Sequence, residues 1–244
     1  MRGTLRDAWT TIVPDMSDRH GPLPPMLLML TLVTGLVDAF SYLDLGHVFV
    51  ANMTGNVVFV GFALGGAAGF SIIASLAALL AFAVGAFLGG RLVHRVRDHR
   101  GRMLRLALIA QTVLVLAAYV VAQAASAPYS TGIRYTLVAL LGLGMGLQNA
   151  AVRSLGVPDL TTTVLTMTIT GMASDTRAAG GSGGKIGRRT LSALAMFVGA
   201  LVGAALVLHG HAALPLLIAL VLLAGASAVS FRLAGSSAPW TKPL

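Results

Sequence analysis

The sequence predicts an all-α integral membrane protein, with about six full transmembrane helices and two re-entrant or interrupted helical segments forming an inverted internal repeat. Composition, the spacing of apolar runs and two internal sequence matches lead there. Of 244 residues, 56% are hydrophobic and 10% charged, where a soluble domain carries roughly 25% charge. The mean hydropathy is +0.85. Apolar runs near 24–45, 48–68, 72–93, 103–125, 132–152, 190–209 and 212–233 each approach the roughly 17–25 residues that a helix needs to cross a bilayer. A shorter, Thr-rich run occupies 159–173. Little chain is left for a soluble domain.

Residues 1–23 hold Arg2, Arg6, Pro14, Asp15, Asp18 and Arg19. They lack a charged start followed directly by an apolar core, so they read as a cytoplasmic segment rather than a cleavable signal peptide. The first apolar run then serves as its own insertion signal. Within it, Gly35-Leu36-Val37-Asp38-Ala39 aligns with Gly146-Leu147-Gln148-Asn149-Ala150, setting Asp38 against Asn149. A shift of one residue sets Gly46 against Gly156, Asn52 against Thr162 and Asn56 against Thr166. Further along, LAFAVGAFLGG (80–90) matches LAMFVGALVGA (194–204), with Gly85 on Gly199 and Gly89 on Gly203. Internal symmetry of this kind is common in membrane transport folds. It divides the chain into a first membrane repeat at 24–125 and a second at 132–233, followed by a cytoplasmic tail at 234–244.

Charge tests how the units lie. Basic loops run from Arg91 to Arg105 and through Arg177, Lys185, Arg188 and Arg189, and Arg232 follows the last run. The positive-inside rule places all three in the cytoplasm. If every run crossed once from inside, the most basic loop would fall outside. If 48–68 and 159–173 each enter and leave on one side, six crossings remain and every basic loop falls inside. Three crossings per unit then invert the second unit relative to the first. The alternative has seven crossings, with 48–68 spanning and the N-terminus outside; it places Arg2, Arg6 and Arg19 on the wrong face.

The stretch VANMTGNVVFVG (50–61) puts Asn52, Thr54 and Asn56 in apolar chain, where each unpartnered amide would cost several kcal/mol. Irregular backbone at membrane depth is tolerated when it is buried in protein or lines water, so an interrupted helix explains the cluster. Asn52 and Asn56 are spaced to share a helical face, as are Thr162, Thr166 and Thr170 after the Pro158-Asp159 start signal. Either stripe can line a polar path or hydrogen-bond helices together. Asp38 is the acid deepest within an apolar run, where a carboxylate marks a proton, cation or substrate site unless it is paired for structure. Gln148 and Asn149 keep polar groups at the matching depth. Arg153 lies one turn beyond Asn149 and is either a partner for Asp38 or a loop-flanking cation. Asp44 and Asp159 read as solvated or capping.

Gly85-x-x-x-Gly89 and Gly199-x-x-x-Gly203 are small-residue faces, for symmetric packing of two helices or for a homodimer. Gly142, Gly144 and Gly146 make a stretch that is either flexible or tightly packed, and Gln111 suits a helix–helix hydrogen bond. AAGGSGGKIGRR (178–189) has neither phosphate-loop spacing nor a preceding strand and reads as a flexible linker. No cysteine is present, which removes disulfides and thiolate chemistry. His209 and His211 have no third ligand nearby, so no metal and no cofactor is expected. The net charge of +9 sits in membrane-flanking loops rather than an aromatic-interleaved patch, which argues against nucleic acid. No protease or hydrolase motif occurs in the spans, so an enzyme is not expected.

The segments VTGLVDAFSYLDLGHVFVANMTGN and GLQNAAVRSLGVPDLTTTVLTMTITG resemble the YoaK-like family of bacterial membrane proteins, domain of unknown function 1275. That resemblance, over about 24–233, implies a multi-spanning inner-membrane protein and supplies neither substrate nor site residues. The residues themselves point to a transporter or channel for a small polar solute, proton-coupled through Asp38. The alternative is a membrane scaffold whose polar stripes only hold helices together.

Overall fold

The structure, a computed structural model, describes residues 2–163, 165–175, 180 and 186–242. Six long apolar helices are present: α2 (Leu23–Asp44), α4 (Ile72–Arg95), α5 (Arg100–Ala125), α6 (Thr131–Leu155), α8 (Ile186–Leu208) and α9 (Leu214–Leu233). All six are long and apolar enough to cross a bilayer. Between α2 and α4 lies the short α3 (Met53–Leu64), and between α6 and α8 the short α7 (Leu165–Ser174). Two elements fall in the segments flanking the membrane repeats: α1 (Arg2–Ile12) and a 3₁₀ turn at Pro239–Thr241. No strand occurs among the described residues, and the protein is an all-α, multi-pass integral membrane protein. Most of the linker at 178–189, including Lys185, lies outside the described residues, as does Arg177.

Local chemistry sets the boundaries. Pro24 and Pro25 lie in the first turn of α2, where a missing N–H removes no intrahelical bond. Ser71 caps α4 by accepting from Ala74 N at 3.2 Å, and the His99 ring accepts from Arg102 N at the start of α5. α6 ends on Gly156 at φ +61°, a left-handed stop that glycine adopts without strain. The run 48–68, long enough to span, holds only the 12 helical residues of α3, about 18 Å at 1.5 Å per residue.

The long helices alternate in direction. At one end the buried Arg100 donates from Nη1 to the carbonyls of Arg19 (3.0 Å) and Trp240 (3.2 Å) and from Nη2 to that of Leu155. His99 Nε2 lies 2.9 Å from Ser236 O, and the backbone N of Arg188 donates to Asp7. The starts of α2, α5 and α8 therefore meet the ends of α6 and α9, and a short turn adds the end of α4. Arg95, Arg97, Arg102, Arg153, Arg188 and Arg232 belong to the same end. At the far end, His47 Nδ1 is 3.0 Å from Gly69 O, so the segment containing α3 begins and finishes together.

Lipid gives helices no hydrophobic reason to associate, so close backbone approach has to hold them. The tightest pairs are α4 with α6 and α2 with α8. A Cβ on Gly85 would stand 2.2 Å from Leu143 O, and one on Gly199 would stand 2.1 Å from Leu32 O. Gly146 faces Phe82 O and Ala86 N, while Gly35 faces Met196 O and Ala200 N. Gly89 packs on Leu147, Gly203 on Leu36. The contacts of Gly35, Gly199 and Gly203 recur at Gly146, Gly85 and Gly89, the positions matched by the sequence alignment. The glycine faces are consumed within one chain, so Gly85, Gly89, Gly199 and Gly203 do not form a homodimer surface. Gly142 and Gly146 are likewise packed rather than flexible.

Adding one methyl at Gly199 drives it into a carbonyl that belongs to a rigid helix. Gly199→Ala should cost about 3 kcal/mol, read as a large fall in thermal midpoint of the detergent-solubilised protein. Gly61→Ala, where a Cβ meets nothing within 4 Å, should be neutral or slightly stabilising. His20 is held below the ordinary imidazole range by burial and by the Arg100 and Arg188 cations. The unfolded chain therefore binds the proton first as pH falls, and acid destabilises the fold through this group. The midpoint should drop between pH 7 and pH 5, less steeply in His20→Gln.

Candidate functional site

Both interrupted segments are stitched to the long helix that precedes them. Asp38, buried on α2, accepts at Oδ1 from Val50 N (3.0 Å) and Ala51 N (2.9 Å), and at Oδ2 from Asn52 Nδ2. Those donors belong to the extended chain just before α3. Asn56 is fully buried and reaches back to residue 49, accepting from Phe49 N (2.9 Å) and donating to Phe49 O (2.6 Å). Two side chains thus occupy backbone groups that hydrocarbon would leave unsatisfied.

In the second segment Thr163 donates to Asn149 Oδ1 at 2.8 Å, and Asn149 Nδ2 donates to Met145 O at 2.9 Å. Asp38–Asn52 and Asn149–Thr163 share the same fourteen-residue separation. The counterpart of Asn52 is therefore Thr163, and the one-residue shift to Thr162 is incorrect: the register that sets Asp38 on Asn149 continues unbroken. Thr162 has a separate task. It sits at φ +62°, a strained conformation for a β-branched residue, and its buried Oγ1 accepts from Gln148 Nε2 at 3.2 Å. Gln148 also donates to Thr34 (3.2 Å) and accepts from Gln111 (2.5 Å). This buried chain of amides and hydroxyls joins α2, α5, α6 and the second segment, as Gln111 was expected to do for two helices.

Between the segments lies a cavity of about 1020 Å³. Asn52 and Thr54 line it from the first segment, Thr163 and Thr166 from the second, Asn149 and Arg153 from α6, and Phe82, Ala86 and Gly90 from α4. Phe82 and Gly90 are about 12 Å apart along α4, so the cavity is deep. It widens at Arg153, Ser154 and Pro158, which are exposed at the basic end. Both short helices begin at its wall, placing their positive ends toward it. α7 then runs back to the basic end, where Arg189 bonds Asp159 (2.9 Å) and Asp175 (2.7 Å).

The far end differs. Tyr42 stacks on Phe49 at 5.0 Å, Phe59 on Phe70 at 5.1 Å, and Phe49, His47 and Phe62 complete the cluster. At the matching positions of Tyr42, Phe49 and Phe59 the second unit carries Arg153, Leu160 and Thr170. Rings fill one end; smaller and charged groups leave the other open.

Of the eight path candidates, Asn52, Thr54, Asn149 and Thr166 reach the cavity. Asp38, Asn56, Gln148 and Thr162 do not; their polar atoms are engaged in the protein. The expected helical faces fail for a simple reason: Asn52 and Thr162 precede α3 and α7 rather than lie on them. Arg153 does not pair with Asp38 and instead lines the wall. Thr163 was missed, although its spacing from Asn149 repeats that of Asn52 from Asp38.

Six apolar helices and two interrupted segments define the class, a multi-pass α-helical membrane protein. Residues 26–229 match the profile of the family described as Protein of unknown function (DUF1275), and the chain belongs to that family. It is similar to the UPF0700 transmembrane protein YoaK of Bacillus subtilis (strain 168), at 32% identity over 152 residues. That match covers 62% of this chain and 65% of the relative, a little under two thirds of the latter's length. No solved structure matches the chain.

Removing the Asp38 carboxylate strands two buried N–H groups, each worth about 1–3 kcal/mol. Asp38→Ala should lower stability by about 3 kcal/mol, measured by thermal or denaturant unfolding in detergent. Asp38→Asn keeps an oxygen for Val50 and Ala51, and Asn52 can turn its own oxygen inward, so that variant should lose clearly less. Equal losses would show that the carboxylate does not hold this segment.

Proposed function

We propose that this chain is a carrier for a small polar solute in the bacterial plasma membrane, with the basic end in the cytoplasm. The observation that carries this reading is the cavity shared by the two interrupted segments, which reaches exposed residues at the basic end. The paired glycine contacts support two related units, and alternating helix directions support their inversion. Interrupted helices meeting at a polar cavity between repeats are the arrangement in which carriers bind their solute. Amide and hydroxyl groups that both donate and accept line it, as a polar solute needs and an acyl chain does not.

Asp38 takes a different part from the proton site expected of it. Three N–H donors meet its carboxylate, a shell that fits a fixed structural role. Coupling through this residue is accordingly not part of the reading. A scaffold remains the rival, favoured by the amide chain of Gln111, Gln148, Thr34 and Thr162, which does act as helix glue.

The native lack of cysteine makes the decisive measurement clean. In sealed proteoliposomes, Thr54→Cys and Thr166→Cys should react with a membrane-impermeant maleimide from the basic face and not from the other. Absence of labelling from either face would favour the scaffold and reject the carrier.

A further inference from the structure

The helix α1 docks on the bundle through the face that carries Asp7 and Thr11. Asp7 Oδ2 accepts from Arg188 N at 2.9 Å, in the first turn of α8, so a carboxylate from one helix caps another and meets the positive end of its dipole. Thr11, one turn along α1, is fully buried and its hydroxyl lies 3.4 Å from Arg188 Nε. On a helix, position 9 lies nearly opposite positions 7 and 11, and position 12 lies on that outer side. Those outer residues are Trp9 and Ile12, 65% and 51% exposed, followed by the exposed Val13 and Met16. Single exposed apolar residues are ordinary, but Trp9 and Ile12 share the outer side of α1 and Val13 follows directly, and an apolar face of this kind needs a cover.

We propose that this face lies in the headgroup–acyl boundary of the leaflet at the basic end, making α1 an interfacial anchor helix. Three observations choose lipid as the occupant. α1 is mounted on α8, which of the six long helices has the smallest share of its residues buried in protein. The apolar side chains Leu194, Phe197 and Val198 of α8 are exposed beyond the docking point, so the face of α1 continues a surface that already meets the bilayer. Arg2, Arg6 and Arg19 flank the face in sequence, the pattern of an amphipathic helix attracted to anionic headgroups. A tryptophan at that level has its ring in the apolar zone and its N–H in the wet one.

The chain supplies its own probe and control, because its two tryptophans are Trp9 and the fully buried Trp240. The full-length protein is reconstituted in vesicles of phosphatidylcholine and phosphatidylglycerol, with part of the phosphatidylcholine brominated at the 6,7 or the 11,12 positions of one acyl chain. The Trp9 signal is the difference between wild type and Trp9→Phe, an exposed substitution that leaves the core intact. That signal should fall roughly twofold or more with 6,7-brominated lipid and less with 11,12-brominated lipid, as expected for a ring about 5–10 Å below the surface. The remaining Trp240 signal should be unchanged. A Trp9 signal that bromine does not quench overturns the proposal: a water-like emission maximum would mean that the face is solvated, and a blue-shifted one that a protein surface covers it.

Discussion

An interrupted helix inside a bilayer frees peptide groups that hydrocarbon cannot satisfy, and the protein itself has to supply the partners. In the first unit the supply is Asp38. Its two oxygens gather the chain at residues 50–52, and Asn56 then closes the loop on Phe49. With those bonds in place the chain at residues 50–52 can stay non-helical and α3 can start at Met53. Without them the same apolar sequence would have reason to continue as a helix, and the cavity would lose one wall.

The rest of the bundle supports that arrangement by two different means. Glycines bring α4 against α6 and α2 against α8 until backbone touches backbone, which fixes the helices as rigid plates. The amide and hydroxyl chain from Gln111 through Gln148 to Thr34 and Thr162 then ties the second segment to three helices. Thr162 holds a strained backbone conformation where that chain ends, so the bonds to Gln148 and the local strain belong together. Cavity walls built this way come from elements with little freedom.

The two units use one design with different chemistry. Where the first has Asp38 and Asn52, the second has Asn149 and Thr163; where the first has Tyr42, Phe49 and Phe59, the second has Arg153, Leu160 and Thr170. Matching backbone contacts with unmatched side chains give a bundle that is symmetric in packing and asymmetric in access. At the basic end, Arg100 gathers the carbonyls of Arg19, Leu155 and Trp240, which joins both chain termini to the helix that ends at the cavity mouth.

Composition and run length determined the class, because the spacing needed to cross a bilayer is written directly in apolar residues. The glycine contacts were equally legible, since close approach needs the smallest side chain. Four of the eight path candidates line the cavity, and they were picked out by the rule that polar groups at depth need a reason. Which of them face a cavity was decided only in three dimensions. Asp38 and Asn52 look alike as buried polar residues, yet one is saturated by backbone donors and the other turns a surface to open space. The same holds for α1 and Trp240, whose segments are too short and too polar to announce structure; their order comes from Arg188 and Arg100, residues far away in the chain. A periodic pattern reports what a segment can bury, and only the tertiary structure decides which of its polar groups are already paired.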